Sequence, residues 1–120
     1  MDDRIHFIEH QGKRILLLDF SHANAHEMQL LHEYVRVIVA QHGHESVVTL
    51  ADFTGATVDH TVATRIKEVL ALDRPFVKKT AWVGTESIPH ALMESFHNFS
   101  QREIATFKTR EEAMDWLAKR

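Results

Sequence analysis

Residues 46–53 have the sequence SVVTLADF, and this stretch decides the fold class. It is rich in β-branched and apolar residues, with little of the apolar–polar alternation of a half-exposed strand. That pattern is typical of a strand buried on both faces of a sheet, where helices cover each face. It therefore predicts the central strand of an α/β domain.

A helix is predicted on either side of this strand. Before it, apolar residues recur every three or four positions between Met28 and Val39, and Ser21 is the predicted N-cap. After it, apolar residues at the same spacing between Val62 and Leu70 predict a second helix that ends before Pro75.

The two ends of the chain complete the order of elements. Apolar runs at 4–8 and 14–19 flank a turn with Gly12, which predicts an opening β-hairpin. Towards the other end, a strand is predicted at 78–84, a helix at 87–99 and a strand at 104–107. The last helix follows a capping-box spacing at residues 109–112. The predicted order is ββαβαβαβα, in a mixed, mostly parallel five-stranded sheet.

The composition is that of one globular domain, and we predict that residues 1–120 form a single unit. The chain is 44% hydrophobic and 26% charged, and it contains no cysteine. Its 14 Lys and Arg against 17 Asp and Glu are scattered, which argues against a nucleic-acid partner. No stretch approaches the ~18 apolar residues of a membrane span, so no integral membrane segment is predicted. The acidic start does not resemble a secretory signal, and we expect a cytoplasmic protein.

Motifs that carry chemistry are missing from the sequence. We find no GxSxG, GxGxxG, GxxxxGK[ST] or HExxH motif, so we predict no catalytic residue, no cofactor and no metal site. The ten histidines keep an enzyme with a histidine-based site as a third hypothesis. His22 and His26 have the i, i+4 spacing that would place them on one helix face, with His32 nearby.

Two longer segments carry a family resemblance. Residues 51–70 (ADFTGATVDHTVATRIKEVL) and 81–117 (AWVGTESIPHALMESFHNFSQREIATFKTREEAMDWL), in this element order, resemble the STAS superfamily. The resemblance is to its SpoIIAA-like branch, which is related to CRAL-TRIO domains. It covers nearly the whole chain and implies an α/β fold with helices over a mixed sheet.

Residues 52–55, DFTG, resemble the Asp-Leu-Ser-Gly that ends a strand in anti-sigma-factor antagonists, ahead of their phosphorylatable serine. Those proteins continue with Asp-Ser-Ser-Gly, whereas residues 59–62 read DHTV, with Thr61 in place of the serine and no glycine. The resemblance implies a phosphate acceptor at Thr57 or Thr61. The residues alone favour a simpler role, an N-cap of the second helix at Thr57 or Asp59.

The leading functional hypothesis is a STAS-type regulatory or protein-interaction module, similar to an anti-sigma antagonist and with a protein partner. In open α/β sheets the loops at the carboxyl ends of the strands bind partners and ligands. The alternative, implied by the relation to CRAL-TRIO domains, is a domain that binds a small apolar ligand or a lipid. The sequence leaves a homo-oligomer open. The predicted binding residues lie in two loops: Asp52, Thr54, Gly55, Thr57, Asp59, His60, Thr61, Gly84, Thr85 and Glu86.

Overall fold

The computed structural model describes residues 3–119. In chain order the elements are β1 (Ile5–His10), β2 (Lys13–Asp19), α1 (Ala25–Val39), β3 (Val47–Asp52), α2 (His60–Asp73), β4 (Val77–Val83), α3 (His90–Ser100), β5 (Ile104–Phe107) and α4 (Arg110–Ala118). The predicted order ββαβαβαβα is confirmed. No helix in this part of the chain combines the length and the apolar character needed to cross a membrane.

The five strands lie in the sheet in the same order as in the chain. β1 and β2 form the predicted antiparallel hairpin, and β2 to β5 run parallel. Since each parallel connection steps in the same direction, right-handed crossovers place their helices on one face of the sheet. The buried hydrophobic residues of α1, α2 and α3 accordingly join one core cluster, and those of α4 join another.

β3 serves both clusters because successive side chains of a strand point to opposite faces. Val47, Ala51 and Phe53 lie in the cluster under α1 to α3. Leu50 lies in the cluster under α4. The prediction that this strand is central and buried on both faces is confirmed.

Two predicted helix starts were wrong. α1 begins at Ala25, because Asn24 accepts the Glu27 amide and Glu27 accepts the Asn24 amide in a complete capping box. Ser21 instead lies in the loop before the helix and is not its cap. α3 begins at His90 after Pro89, three residues later than predicted.

Four aromatic rings run through the larger cluster from α1 to α3. Phe20 packs on Phe53, Phe53 on Trp82 and Trp82 on Phe96, with ring centroids 4.6–5.6 Å apart. Trp82 is 4% exposed and belongs to the core. Phe96 is fully buried and anchors α3.

Two titratable groups are buried on this side of the sheet. His32 is 4% exposed, and burial lowers its pKa to about 4 despite a hydrogen bond from Nδ1 to the Met28 carbonyl. Asp73, at the end of α2, is 9% exposed. Burial raises its pKa to about 7, although the charge of Arg36 acts in the opposite direction.

Asp73 predicts a pH-dependent stability. A carboxyl whose pKa is raised by folding resists ionisation in the folded protein. The contribution of Asp73 to the free energy of unfolding is therefore full below the unfolded pKa near 3.8, and it is lost as the pH rises through about 7. The unfolding free energy of Asp73→Asn minus that of wild type is therefore expected to increase by about 2 kcal/mol when the pH is raised from 5 to 8. Urea denaturation of both proteins at the two pH values measures this difference. A constant difference would contradict the assigned pKa.

Candidate functional site

Two aspartates end neighbouring parallel strands at the carboxyl edge of the sheet. Asp19 of β2 and Asp52 of β3 are partners in the strand register. By the alternation along each strand, both point towards the face that α4 covers. Arg110, the first residue of α4, lies between them. Its Nε donates to Asp52 Oδ2 at 2.8 Å, and its Nη2 is 3.1 Å from Asp19 Oδ1.

The same carboxylates hold the loops that follow their strands. Asp19 Oδ1 accepts hydrogen bonds from the Ser21 amide (3.0 Å) and the Ser21 hydroxyl. Asp52 Oδ1 accepts one from the Thr54 amide (2.9 Å). Burial acts to raise the pKa of Asp19, but the Ser21 hydrogen bonds and the arginine charges outweigh it and keep that pKa below its usual value. Each aspartate is therefore a bridge between Arg110 and a loop.

The loops after β2, β3 and β4, which all lie at this edge, also contact one another directly. The His22 amide donates to the Thr54 carbonyl (2.8 Å), and the Thr57 amide to the Ala23 carbonyl (2.9 Å). Gly55 and Gly84 have φ of +67° and +72°, and a Cβ on Gly55 would meet the exposed ring of His22. A Cβ on Gly84 would clash with the backbone and hydroxyl of Thr54. The loops after β2, β3 and β4 therefore form one packed surface.

The start of α2 lies at the rim of this surface. Asp59 is the N-cap, and its side chain accepts the Val62 amide at 2.8 Å, so the cap prediction is resolved in favour of Asp59 over Thr57. Thr61 is exposed in the first turn of the helix. His60 beside it is also exposed.

The structure brings the two predicted groups of binding residues together through Gly84, which packs against Thr54. Glu86 is exposed and Thr85 is half-buried in the turn that leads to α3. Asp52 is 7% exposed, so it supports the surface from below. That these residues bind a partner stays a prediction.

Asp19 and Arg110 were missed by the sequence-based prediction. Asp19 could have been found, because a parallel β2–β3 pair places the ends of both strands at the same edge. Arg110 had no local signal, since it lies 58 residues from Asp52 in the chain.

The spacing of His22 and His26 predicted a shared helix face, and that prediction is wrong. His22 has φ of +57° and lies before α1, so it does not share a helix face with His26. His32 is buried and stacks on Phe20 with a centroid distance of 4.4 Å. Within residues 3–119, no three His, Asp or Glu side chains come together in a way that could hold a metal ion.

The contact at Gly84 predicts a large cost for a small substitution. Gly84→Ala is expected to lower the unfolding free energy by about 2–4 kcal/mol, because the new methyl overlaps Thr54 and the backbone is left-handed. Gly12→Ala is the matched control, since φ there is +79° but no atom lies within 4 Å of the added Cβ. It should cost only about 1–2 kcal/mol in urea denaturation. If the two substitutions lower the unfolding free energy equally, the close approach of residue 84 to Thr54 does not contribute to the cost.

Replacing Arg110 is predicted to loosen the loops after β2 and β3. Arg110→Met leaves two aspartates without their shared cation and should cost about 1–3 kcal/mol of stability. Hydrogen exchange of the amides of Ser21 and Thr54 should accelerate more than that of the core strands. Arg74→Met is the control, because Arg74 donates to the Phe99 carbonyl away from these loops. If both variants change the same amides equally, Arg110 does not position the loops.

A scan against protein-family models supports the resemblance noted in the sequence. The SpoIIAA-like model matches residues 7–118, which is nearly the whole chain. Comparisons with curated proteins and with solved structures gave no match. The matched range runs from β1 to the last residue of α4, so it includes all three loops of the surface as well as Arg110. The chain belongs to the SpoIIAA-like family and is a STAS-type α/β domain.

Proposed function

We propose that this chain is a regulatory module that binds a protein partner through the loop after β3 and the start of α2. The contact surface is defined as residues 54–61 together with Thr85 and Glu86. The observation that supports it best is an exposed row of polar side chains whose loop is fixed from below by Asp52 and Arg110.

A fixed loop favours binding because little conformational entropy is lost when a partner docks. The loop is tied by the Asp52 carboxylate at its start and by the Asp59 cap at its end. Between these two points the Thr57 amide is bonded to the Ala23 carbonyl. The backbone is thus held at three places.

The side chains on the outside of the loop are available to a partner. The exposed residues of the segment are Thr54, Gly55, Thr57, Asp59, His60 and Thr61. They offer hydroxyls, one carboxylate and one imidazole, which are the groups of a polar contact surface. A partner with hydrogen-bond donors and one cationic group would match them.

Control by phosphorylation, as in anti-sigma antagonists, is part of the proposal. Thr61 is exposed in the first turn of α2, where the helix dipole and unbonded amides favour a phosphate. Thr57 is exposed too but lies outside the helix. Thr61 is therefore the favoured acceptor, and a phosphate there would repel the neighbouring Asp59 carboxylate and so change the start of α2.

The double substitution Asp59→Asn with Thr61→Val tests the surface without damaging the fold. Asn keeps the N-cap, and Val keeps the shape of threonine while removing its hydroxyl. We expect at least a tenfold loss of partner capture, read by quantitative pull-down against wild type from the native cell, with a thermal midpoint within a few degrees of wild type.

Thr106→Val is the matched control. Thr106 is an exposed threonine of the edge strand β5 and lies outside the proposed surface. The Thr106→Val variant should capture the same partners as wild type. Recovery of that same set by the double variant would overturn the surface assignment.

A further inference from the structure

The strand β1 forms one edge of the sheet, and every second residue of it turns its backbone groups away from the sheet. β2 pairs with β1 on one side, and within residues 3–119 no strand pairs with it on the other. The Asp19 amide of β2 donates to the Arg4 carbonyl at 2.9 Å. Because the direction of the backbone groups alternates along an antiparallel strand, the N–H and C=O groups of Ile5, Phe7 and Glu9 point outwards. We call these three residues the β1 edge.

The β1 edge lacks the features by which proteins usually keep strand edges apart. Those features are short length, lysine, proline and bulges. β1 has six residues, contains neither lysine nor proline, and pairs with β2 in an unbroken register. β5, at the opposite edge, has only four residues and is followed by Lys108. Of the two edges, β1 is therefore the one suited to accept another strand.

Apolar side chains flank the β1 edge on both faces of the sheet. Phe7 packs against the larger core cluster and Ile8 against the cluster under α4, and both side chains are only half-buried. Leu30 of α1 is 45% exposed and lines a surface groove with Arg4, the residue before β1. A strand added here would cover part of this apolar surface, which favours its association.

We propose that the β1 edge pairs antiparallel with the β1 edge of a second copy of this chain, about a two-fold axis that passes beside Phe7. The two sheets then continue into each other. A two-fold axis perpendicular to the sheet relates identical strands in antiparallel directions, and it gives the closed symmetry of most homodimers. A second copy also supplies the same row of outward backbone groups, so donors and acceptors match.

The outward backbone groups select this register. With Phe7 on the axis, Ile5 of each copy lies opposite Glu9 of the other, and the outward N–H and C=O groups of all three residues have partners. A two-fold axis at Ile8 would place Ile5 opposite residue 11, and one at His6 would place Glu9 opposite residue 3. Both of these are turn residues outside β1. The register at Phe7 therefore makes the most hydrogen bonds between extended residues.

Charges at the two ends of the paired strands are complementary. In this register Arg4 of one copy lies opposite His10 of the other, on the face that α4 covers. The Nε2 atom of that His10 is 2.7 Å from the Asp115 carboxylate, which also accepts a hydrogen bond from Gln11. Each end of the pairing thus brings a guanidinium group towards a carboxylate of the other copy.

Sedimentation equilibrium of the whole chain tests the proposal. Wild type is expected to show a dimer whose fraction rises with concentration. Glu9→Pro should weaken the dimer at least tenfold, because proline has no N–H to donate to the second copy. The bonds to β2 remain intact, since the Glu9 amide points away from that strand.

Leu30→Lys tests the side chains beside the edge. It should weaken the dimer about threefold or more, because it places a charge where the second copy covers apolar surface. Leu72→Lys is the matched control, since Leu72 is 54% exposed but belongs to α2. It should dimerise as wild type does. Equal weakening by both variants would contradict a contact beside α1.

Disulfide formation tests the register, because the chain has no cysteine of its own. His6 of one copy and Ile8 of the other form non-hydrogen-bonded pairs, with Cα atoms about 4.5 Å apart and within reach of a disulfide. A mixture of tagged His6→Cys and untagged Ile8→Cys should therefore form mixed cross-linked dimers on oxidation. Neither variant alone should cross-link efficiently.

Three results would overturn the proposal. They are a wild-type protein that stays monomeric up to about 0.5 mM, a folded Glu9→Pro variant that dimerises as wild type does, and cysteine variants that cross-link only with themselves. If Glu9→Pro does not fold, the mixture of cysteine variants decides. Asp59→Asn with Thr61→Val should remain dimeric, because the contact surface does not include the β1 edge. This result separates the test from that of partner capture.

Discussion

The structure depends on one topological constraint, which is that all parallel connections step across the sheet in the same direction. Right-handed connections of this kind leave α1, α2 and α3 on one face and the other face bare. An uncovered central sheet would expose its apolar side chains to water, at about 25 cal/mol for each Å². α4 covers that face by returning across the sheet after β5, where Ala113 and Leu117 pack against Leu50 and Ala81.

The polar cluster at the carboxyl edge follows from that return. α4 begins at the edge where the parallel strands end, and Asp19 and Asp52 point to its face by strand alternation. Asp52 is 7% exposed, so its charge has to be paired. Arg110 supplies the charge from the first turn of the covering helix. The packing of α4 and the shape of the proposed contact surface are therefore coupled through three side chains, Asp19, Asp52 and Arg110.

The features of the fold that could be predicted are those determined by the pattern of neighbouring residues in the sequence. SVVTLADF identified the central strand because burial on both faces leaves a continuous apolar run, and Thr109 capped α4 through the Glu112 amide as its spacing indicated. Ser21 failed as a cap because Asn24 and Glu27 form a better box three residues later. Within the site, the β3–α2 loop was found from its own residues. Arg110 could not be found, since its contacts join segments that are distant in the sequence.

The two ends of the domain are held by different kinds of contact. At the carboxyl edge, charged hydrogen bonds and the close packing of Gly84 on Thr54 fix the loops, which suits a surface that is recognised as it stands. At the other end, α3 packs on the core through Phe96, with Leu92 and Met93 partly buried beside it. Phe96 contacts Trp82, and Trp82 contacts Phe53, which immediately precedes the contact loop. The packing of α3 is therefore continuous with the aromatic residues directly beneath the proposed contact surface.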